Sequence, residues 1–196
     1  MQENNPQYFV VSLEDFLDGD EALFTKMKEG FISLNKDIEI FIKEKAAVVA
    51  RLKNAVTFLV LTVSGQSLDF VGYFTLSIKV LRIKSGSLSK TELKKIKSVS
   101  YYDGLNDCYN CPAILIAQFG RNYGEDSASI NGSSLMHLAI DKIEDAQKII
   151  GGRLIFLECE DNEKLIAFYQ SQGFRLLDST TAARNGKELL QMYTII

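Results

Sequence analysis

Asp161-Asn162-Glu163-Lys164-Leu165-Ile166-Ala167-Phe168-Tyr169-Gln170-Ser171-Gln172-Gly173-Phe174 reads as a helix followed by its stop. Asn162 and Tyr169 are seven residues apart, two helical turns, so they fall on one face together with Leu165. Gly173 supplies the left-handed residue that ends the helix, and Phe174 opens a strand. Taken alone, the stripe describes an amphipathic helix that buries a tyrosine. Its neighbours give it a place in a fold. Upstream, residues 153–159 form a β-forming run. Before that run come a helix over 132–150, a stop at Gly151-Gly152, a polar glycine-bearing loop over 120–131 and a strand over 112–119. Strand, loop, helix, strand is a right-handed crossover, which requires two parallel strands. Downstream, residues 187–196 form a last strand.

The first half of the chain changes period. Residues 8–13 (YFVVSL) read as a short strand. Helical spacing of Ala22, Leu23, Met27 and Phe31 predicts a helix over 20–33, and a second helix runs over 35–53 with Asn35 as its N-cap. Residues 55–63 (AVTFLVLTV) and 68–80 are strand-like on either side of Ser64-Gly65-Gln66-Ser67, which makes a β-hairpin. A hairpin half joined to a crossover half predicts a mixed sheet in one α/β domain over 1–196, with no repeat and no Pro-rich linker.

Composition narrows the function classes. The 196 residues are 46% hydrophobic and 24% charged, the balance of a globular protein. A net charge of −3 argues against a surface built throughout for nucleic acid. Yet between 79 and 97 there are seven basic residues, Lys79, Arg82, Lys84, Lys90, Lys94, Lys95 and Lys97, against the single acid Glu92, with Ser89 as the cap of a short helix. This segment is either a solvated face or a surface for a polyanionic acceptor. No apolar stretch reaches the ~20 residues of a membrane span, and the first residues lack the pattern of a secretory signal. Three cysteines cannot all pair within one chain, so a reduced, cytoplasmic setting is the expectation.

The loop before Gly132 is where chemistry is expected. Amides at a helix start lack partners within the helix and carry the positive end of its dipole, so a phosphate can be held there. Ser127-Ala128-Ser129-Ile130-Asn131-Gly132-Ser133-Ser134 consists mostly of small residues, which lets backbone approach a pyrophosphate; many strand-to-helix loops are small and polar only because they turn. Glu158 and Glu160 flank Cys159 at a strand end, and either Glu158 serves as a proton acceptor or Glu160 and Asp161 cap the next helix while Glu158 is solvated. Tyr73 is a second candidate base. His137, five residues into its helix, reads as a packing residue. Cys108-Tyr109-Asn110-Cys111 has metal-like spacing but no second ligand pair, so it reads as two thiols in the linker before Pro112, and no metal is expected.

These features together resemble the GNAT superfamily of acetyl-CoA-dependent N-acetyltransferases. The family signature Asn-x-x-Ala-x-x-x-Tyr-x-x-x-Gly-Phe is met by Asn162, Leu165 in place of Ala, Tyr169, Gly173 and Phe174. Its other signature, Gln/Arg-x-x-Gly-x-Gly/Ala, is met in part: Gly132 is the last glycine, but Ser127 stands at the Gln/Arg position and Ile130 at the first Gly. Residues 35–46 (NKDIEIFIKEKA) and 71–76 (VGYFTL) look like a branch found in bacteria and their mobile elements, some members of which are toxins that acetylate the amino group of aminoacyl-tRNA.

The resemblance implies a mostly antiparallel sheet with a central pair of splayed parallel strands flanked by helices, and acetyl-CoA as cosubstrate in the gap between strands 112–119 and 153–159. It further implies that backbone amides of Phe119, Gly120 and Arg121 pair with the pantetheine arm and that Ala128, Ser129, Ile130, Asn131, Gly132 and Ser133, following Ser127, hold the pyrophosphate. Tyr169 is then the general acid for the leaving thiolate, Glu158 the candidate base, and Asn162 a contact to the cofactor or a fixture of the helix. The implied acceptor is a primary amine on a small molecule, a protein or aminoacyl-tRNA, with a homodimer as one assembly; a GNAT-like binder without catalysis is the alternative from another class.

Overall fold

The computed structural model describes residues 7–65, 67–124, 130–182 and 186–196. Ser127, Ala128 and Ser129 lie outside the described residues. Hydrogen-bonded strands follow the order β1 (Tyr8–Ser12), β2 (Val56–Ser64), β3 (Ser67–Lys84), β5 (Cys108–Arg121), β6 (Leu154–Cys159), β8 (Glu188–Ile195), β7 (Arg175–Ala182), with β4 (Tyr101–Asp103) paired to β5. The ladders β1–β2, β2–β3, β4–β5, β6–β8 and β7–β8 are antiparallel, and that of β5 with β6 is parallel. The chain divides into two compact units, 1–76 with 118–142 and 77–117 with 143–196.

In the first unit, β1 (Tyr8–Ser12) runs directly into α1 (Leu13–Glu29). The expected helix over 20–33 is therefore only the second part of a longer one. The junction explains the reading: Asp20 leaves helical geometry at φ −154°, ψ 78°, and its carboxylate accepts the N–H of Leu23 at 2.9 Å, as an N-cap does. Asn35 caps α2 (Lys36–Ile40) as expected, its Oδ1 accepting from Asp37 N–H. A π-helical turn (Phe41–Lys45) and α3 (Ala46–Arg51) complete the second helix. The hairpin forms from β2 (Val56–Ser64) and β3 (Ser67–Lys84), with Gly65 at φ +63° in the turn. Leu13, Phe24, Phe31, Ile42, Leu59 and Tyr73 are buried in one core of this unit. The unit also holds the end of β5 (Cys108–Arg121) and the start of α5 (Gly132–Ile150).

In the second unit, β3 continues to Lys84 and leads to α4 (Lys90–Lys97) and β4 (Tyr101–Asp103). β5 begins at Cys108, four residues earlier than the sequence suggests, because β4 folds back on it with Tyr101 opposite Asn110. Cys108 and Cys111 are thus buried strand residues, not linker residues. β5 runs parallel to β6 (Leu154–Cys159) only from Ile114 beside Ile155 to Ile116 beside Leu157, and β5 continues to Arg121 beyond this ladder. α6 (Glu163–Ser171) leads through Gly173 at φ +87° into β7 (Arg175–Ala182) and β8 (Glu188–Ile195). Leu81, Ile83, Ile96, Tyr109, Phe156 and Tyr193 form a core here.

Candidate active site

In the first unit, the end of β5 and the start of α5 carry the residues assigned to the cofactor from the sequence. Gly120 has no room for a side chain: a Cβ there would meet Ile38 Cγ2 at 2.4 Å. The next residues are pinned by side chains. Arg121 donates from Nη1 to the carbonyl of Ile130 at 3.2 Å and from Nη2 to the Tyr123 hydroxyl, and its guanidinium lies 4.8 Å from the Tyr123 ring centroid. Asn122 commits its whole amide, with Oδ1 accepting from Ile32 and Gly124 N–H and Nδ2 donating to Phe70 O. These contacts tie the end of β5 to the connection between α1 and α2, beside a cavity of about 610 Å³ lined by Leu23, Met27, Ile32 and Phe70.

Ile130 is buried at 2% exposure, and it is not among the residues with positive φ. Asn131 accepts the N–H of Ser134 at 2.7 Å, so one of the first amides of α5 already has a partner and Asn131 acts as its N-cap. The pattern Asn-Gly-Ser-Ser before an apolar run carried that signal in the sequence. His137 is exposed, not packed: it lies on the α5 face opposite the buried Leu135, Met136 and Ala139. Tyr73 is fully buried and donates its hydroxyl to Ile38 O at 2.6 Å; burial raises its pKa, which makes it a packing residue and an unsuitable base.

In the second unit, α6 and β6 carry Asn162, Tyr169 and Glu158. Asn162 is the N-cap of α6, with Oδ1 accepting from Lys164 and Leu165 N–H, so the cap is neither Glu160 nor Asp161. Glu160 instead pairs with Lys187. Tyr169 is 9% exposed, with its ring against Phe168 at 5.1 Å and Phe174 at 6.1 Å. Burial, then the neighbouring Cys159, raise its pKa well above the usual phenol value, which keeps it protonated. No hydrogen bond to the Tyr169 hydroxyl occurs among the described residues. Glu158 is half-buried and accepts from Gln191 Nε2 at 3.0 Å. Strand alternation puts Glu158 and Cys159 on opposite faces of β6.

No family model and no curated protein matches this chain. Solved structures do. AtaT in complex with acetyl-methionyl-tRNAfMet superposes with a TM-score of 0.63 at 20% identity over 94% of each chain. A tyrosine-to-phenylalanine mutant of KacT gives 0.65 at 22% identity, again over 94% of each. The fold is GNAT-like. A further bacterial toxin gives 0.65 at 13% identity over 98% of this chain and 92% of its own. Among the described residues no cluster of His, Cys, Asp or Glu could hold a metal ion, and no helix is long and apolar enough to cross a membrane.

Proposed function

We propose that this chain is an acetyl-CoA-dependent N-acetyltransferase that moves an acetyl group to a primary amine by direct transfer. Tyr169 carries the reading. At the tyrosine position of the family signature, in a GNAT-like fold, stands a buried phenol that is neutral and has no hydrogen-bond partner among the described residues. A phenol held protonated and uncommitted is a proton donor waiting for an acceptor. AtaT-containing structures bound to acetyl-CoA support the choice of cosubstrate.

The residues present fit that cosubstrate. Gly120 leaves a backbone without a side chain at the end of β5, and α5 begins at Gly132, where amide dipoles favour a phosphate. Bound acetyl-CoA supplies an activated thioester. Backbone amides of Phe119, Gly120 and Arg121 hold the arm and polarise the carbonyl, and Ile130, Asn131, Gly132 and Ser133 cradle the phosphates, with Ser127, Ala128 and Ser129 assigned by resemblance alone. Tyr169 gives its proton to the departing sulfur. Glu158, whose carboxylate accepts from Gln191 Nε2, takes the proton of the attacking amine. Asn162 fixes the start of the Tyr169 helix.

Aminoacyl-tRNA is the acceptor class that the surface favours. All seven basic residues between 79 and 97 are exposed, and none forms an ion pair with a described residue. Glu92, the acid among them, is turned away to Arg175 and Tyr193. Exposed cations outside close ion pairs retain counterion-releasing capacity for phosphates, and AtaT is seen with acetyl-methionyl-tRNAfMet. Calorimetry with acetyl-CoA tests the first step; absence of binding at millimolar concentration overturns the enzyme reading. For the acceptor, tRNA affinity is measured against salt. Reversing Lys90, Lys94 and Lys95 to Glu is expected to lower the log–log slope by about 2–3, three contacts at ~0.7–0.9 each. No tRNA retention at low salt leaves a small-molecule or protein amine.

A further inference from the structure

Buried polar side-chain atoms nearly always find a partner, because an unmade hydrogen bond in the interior carries the full desolvation cost of the group. Among the described residues two such atoms have none, Gln118 Oε1 and Gln147 Nε2. Gln147 lies near the C-terminal end of α5, where no other observation meets it. Gln118 lies in β5 immediately before Phe119, Gly120 and Arg121. By strand alternation it shares the face of Gly120. Around Gly120 that face is walled by Ile38 Cγ2, Tyr73 Cε1 and Phe31 Cζ, at 2.4, 3.4 and 3.7 Å from where a Cβ would sit. The wall is apolar, and the Tyr73 hydroxyl within it already donates to Ile38 O.

We propose that Gln118 Oε1 is a substrate-recognition acceptor, which takes a hydrogen bond from an N–H of a molecule bound at the end of β5. The inference rests on the acetyl-transfer reading, in which two such donors exist: the primary amine of the acceptor and the amides of the pantetheine arm. An uncharged amide oxygen suits either. A carboxylate at this position would stabilise an ammonium, which has no lone pair for attack, whereas a carbonyl oxygen orients a neutral amine without favouring its protonation.

Gln118→Met removes the oxygen and keeps an unbranched side chain of similar length. Three readouts are taken on the variant and the unsubstituted protein: melting temperature, acetyl-CoA affinity by calorimetry, and KM for the amine acceptor. The melting temperature is expected to rise, since a buried acceptor without a partner is gone, while one of the two ligand constants weakens about tenfold, the size of one neutral hydrogen bond. Weaker acetyl-CoA binding with unchanged amine KM identifies the pantetheine amide; the reverse identifies the amine. A higher melting temperature with both constants unchanged overturns the proposal and leaves the acetyl-transfer reading intact. A lower melting temperature overturns it as well, because it means that the oxygen has a partner in the folded chain. If the unsubstituted protein binds no acetyl-CoA, both fall together. Gln118→Leu is read in the same way if the methionine variant does not fold.

Discussion

Replacing Tyr169 with phenylalanine separates chemistry from packing at one atom. The ring contacts to Phe168 and Phe174 survive the change, since neither involves the oxygen. No described group hydrogen-bonds the hydroxyl, so its loss leaves no orphaned partner, and the stability change is expected to stay within about 0.5 kcal/mol. The kinetic change is expected to be far larger. A positioned general acid contributes roughly 10²–10⁴-fold, which at 1.36 kcal/mol per factor of ten is about 2.7–5.5 kcal/mol of barrier. The assay is kcat for a primary amine at saturating acetyl-CoA, with calorimetry and thermal unfolding on the same preparations. The expected pattern is kcat down at least a hundredfold, with acetyl-CoA affinity and melting temperature nearly unchanged. pH adds a second check. Burial raises the folded pKa above the unfolded value of 10.0, so the phenol stays a proton donor through pH 10 and the stability linked to it is lost only as pH rises beyond that value. A kcat loss below about threefold, or an alkaline limb near pH 8–9 that disappears in the variant, would refute the reasoning.

Two further expectations concern the scaffold. Gly120→Ala puts a methyl 2.4 Å from Ile38 Cγ2 and is expected to destabilise by about 1–3 kcal/mol in urea unfolding; in an Ile38→Ala background the same change should cost much less, and equal costs would mean that the two do not touch. Glu92 receives the Ser89 hydroxyl and N–H, then Arg175 and Tyr193, which hold its pKa down to about 2. A lowered folded pKa gives stability that is present above the unfolded value of 4.5 and lost as pH falls from there toward 2. Glu92→Ala is expected to cost about 1–3 kcal/mol at pH 7 and to flatten the acid limb between pH 4.5 and 2; an unchanged limb would count against the Glu92 cluster as its source.

The second half of the fold was legible because its signals are local. Gly151 and Gly173 take φ +72° and +87° at the two helix ends where the sequence marks stops, and both helices are bounded by residues that cap them. What the sequence missed depends on distant partners. β4 is three residues long and exists only as a ladder with the beginning of β5, so the strand over 112–119 looked shorter than it is and its cysteines looked like linker. Pro112 encouraged that reading, yet it sits past the β4 ladder, which ends at Asn110, and before the β6 ladder, which begins at Ile114, where its missing N–H interrupts neither. α1 begins straight from β1 because Leu13 and Leu17 are buried with Phe24 in one core, a cause invisible to a window that starts at Asp20. In α6, the places of Asn162 at the start and Tyr169 two turns on followed from spacing. The side-chain work of Arg121, Asn122 and Gln118 did not, because each acts on, or lacks, a partner set by the tertiary fold.

Ile130 stands where the signature named above has glycine. The family has glycine there, and glycine is required where φ must be positive. Among the described non-glycine residues only Lys53 and Asp107 have positive φ, so the backbone at Ile130 takes another path. That path is fixed by side chains: the isoleucine is buried, its carbonyl is held by Arg121, Arg121 is braced on Tyr123, and Asn131 closes on Ser134 N–H. An apolar anchor and a guanidinium strut thus hold the backbone at the entry of α5. A side-chain strut is less compliant than a glycine turn, and its geometry depends on a charged hydrogen bond. On the acetyl-transfer reading proposed above, this bracing at the start of α5 would reduce the ordering cost of binding a phosphate there.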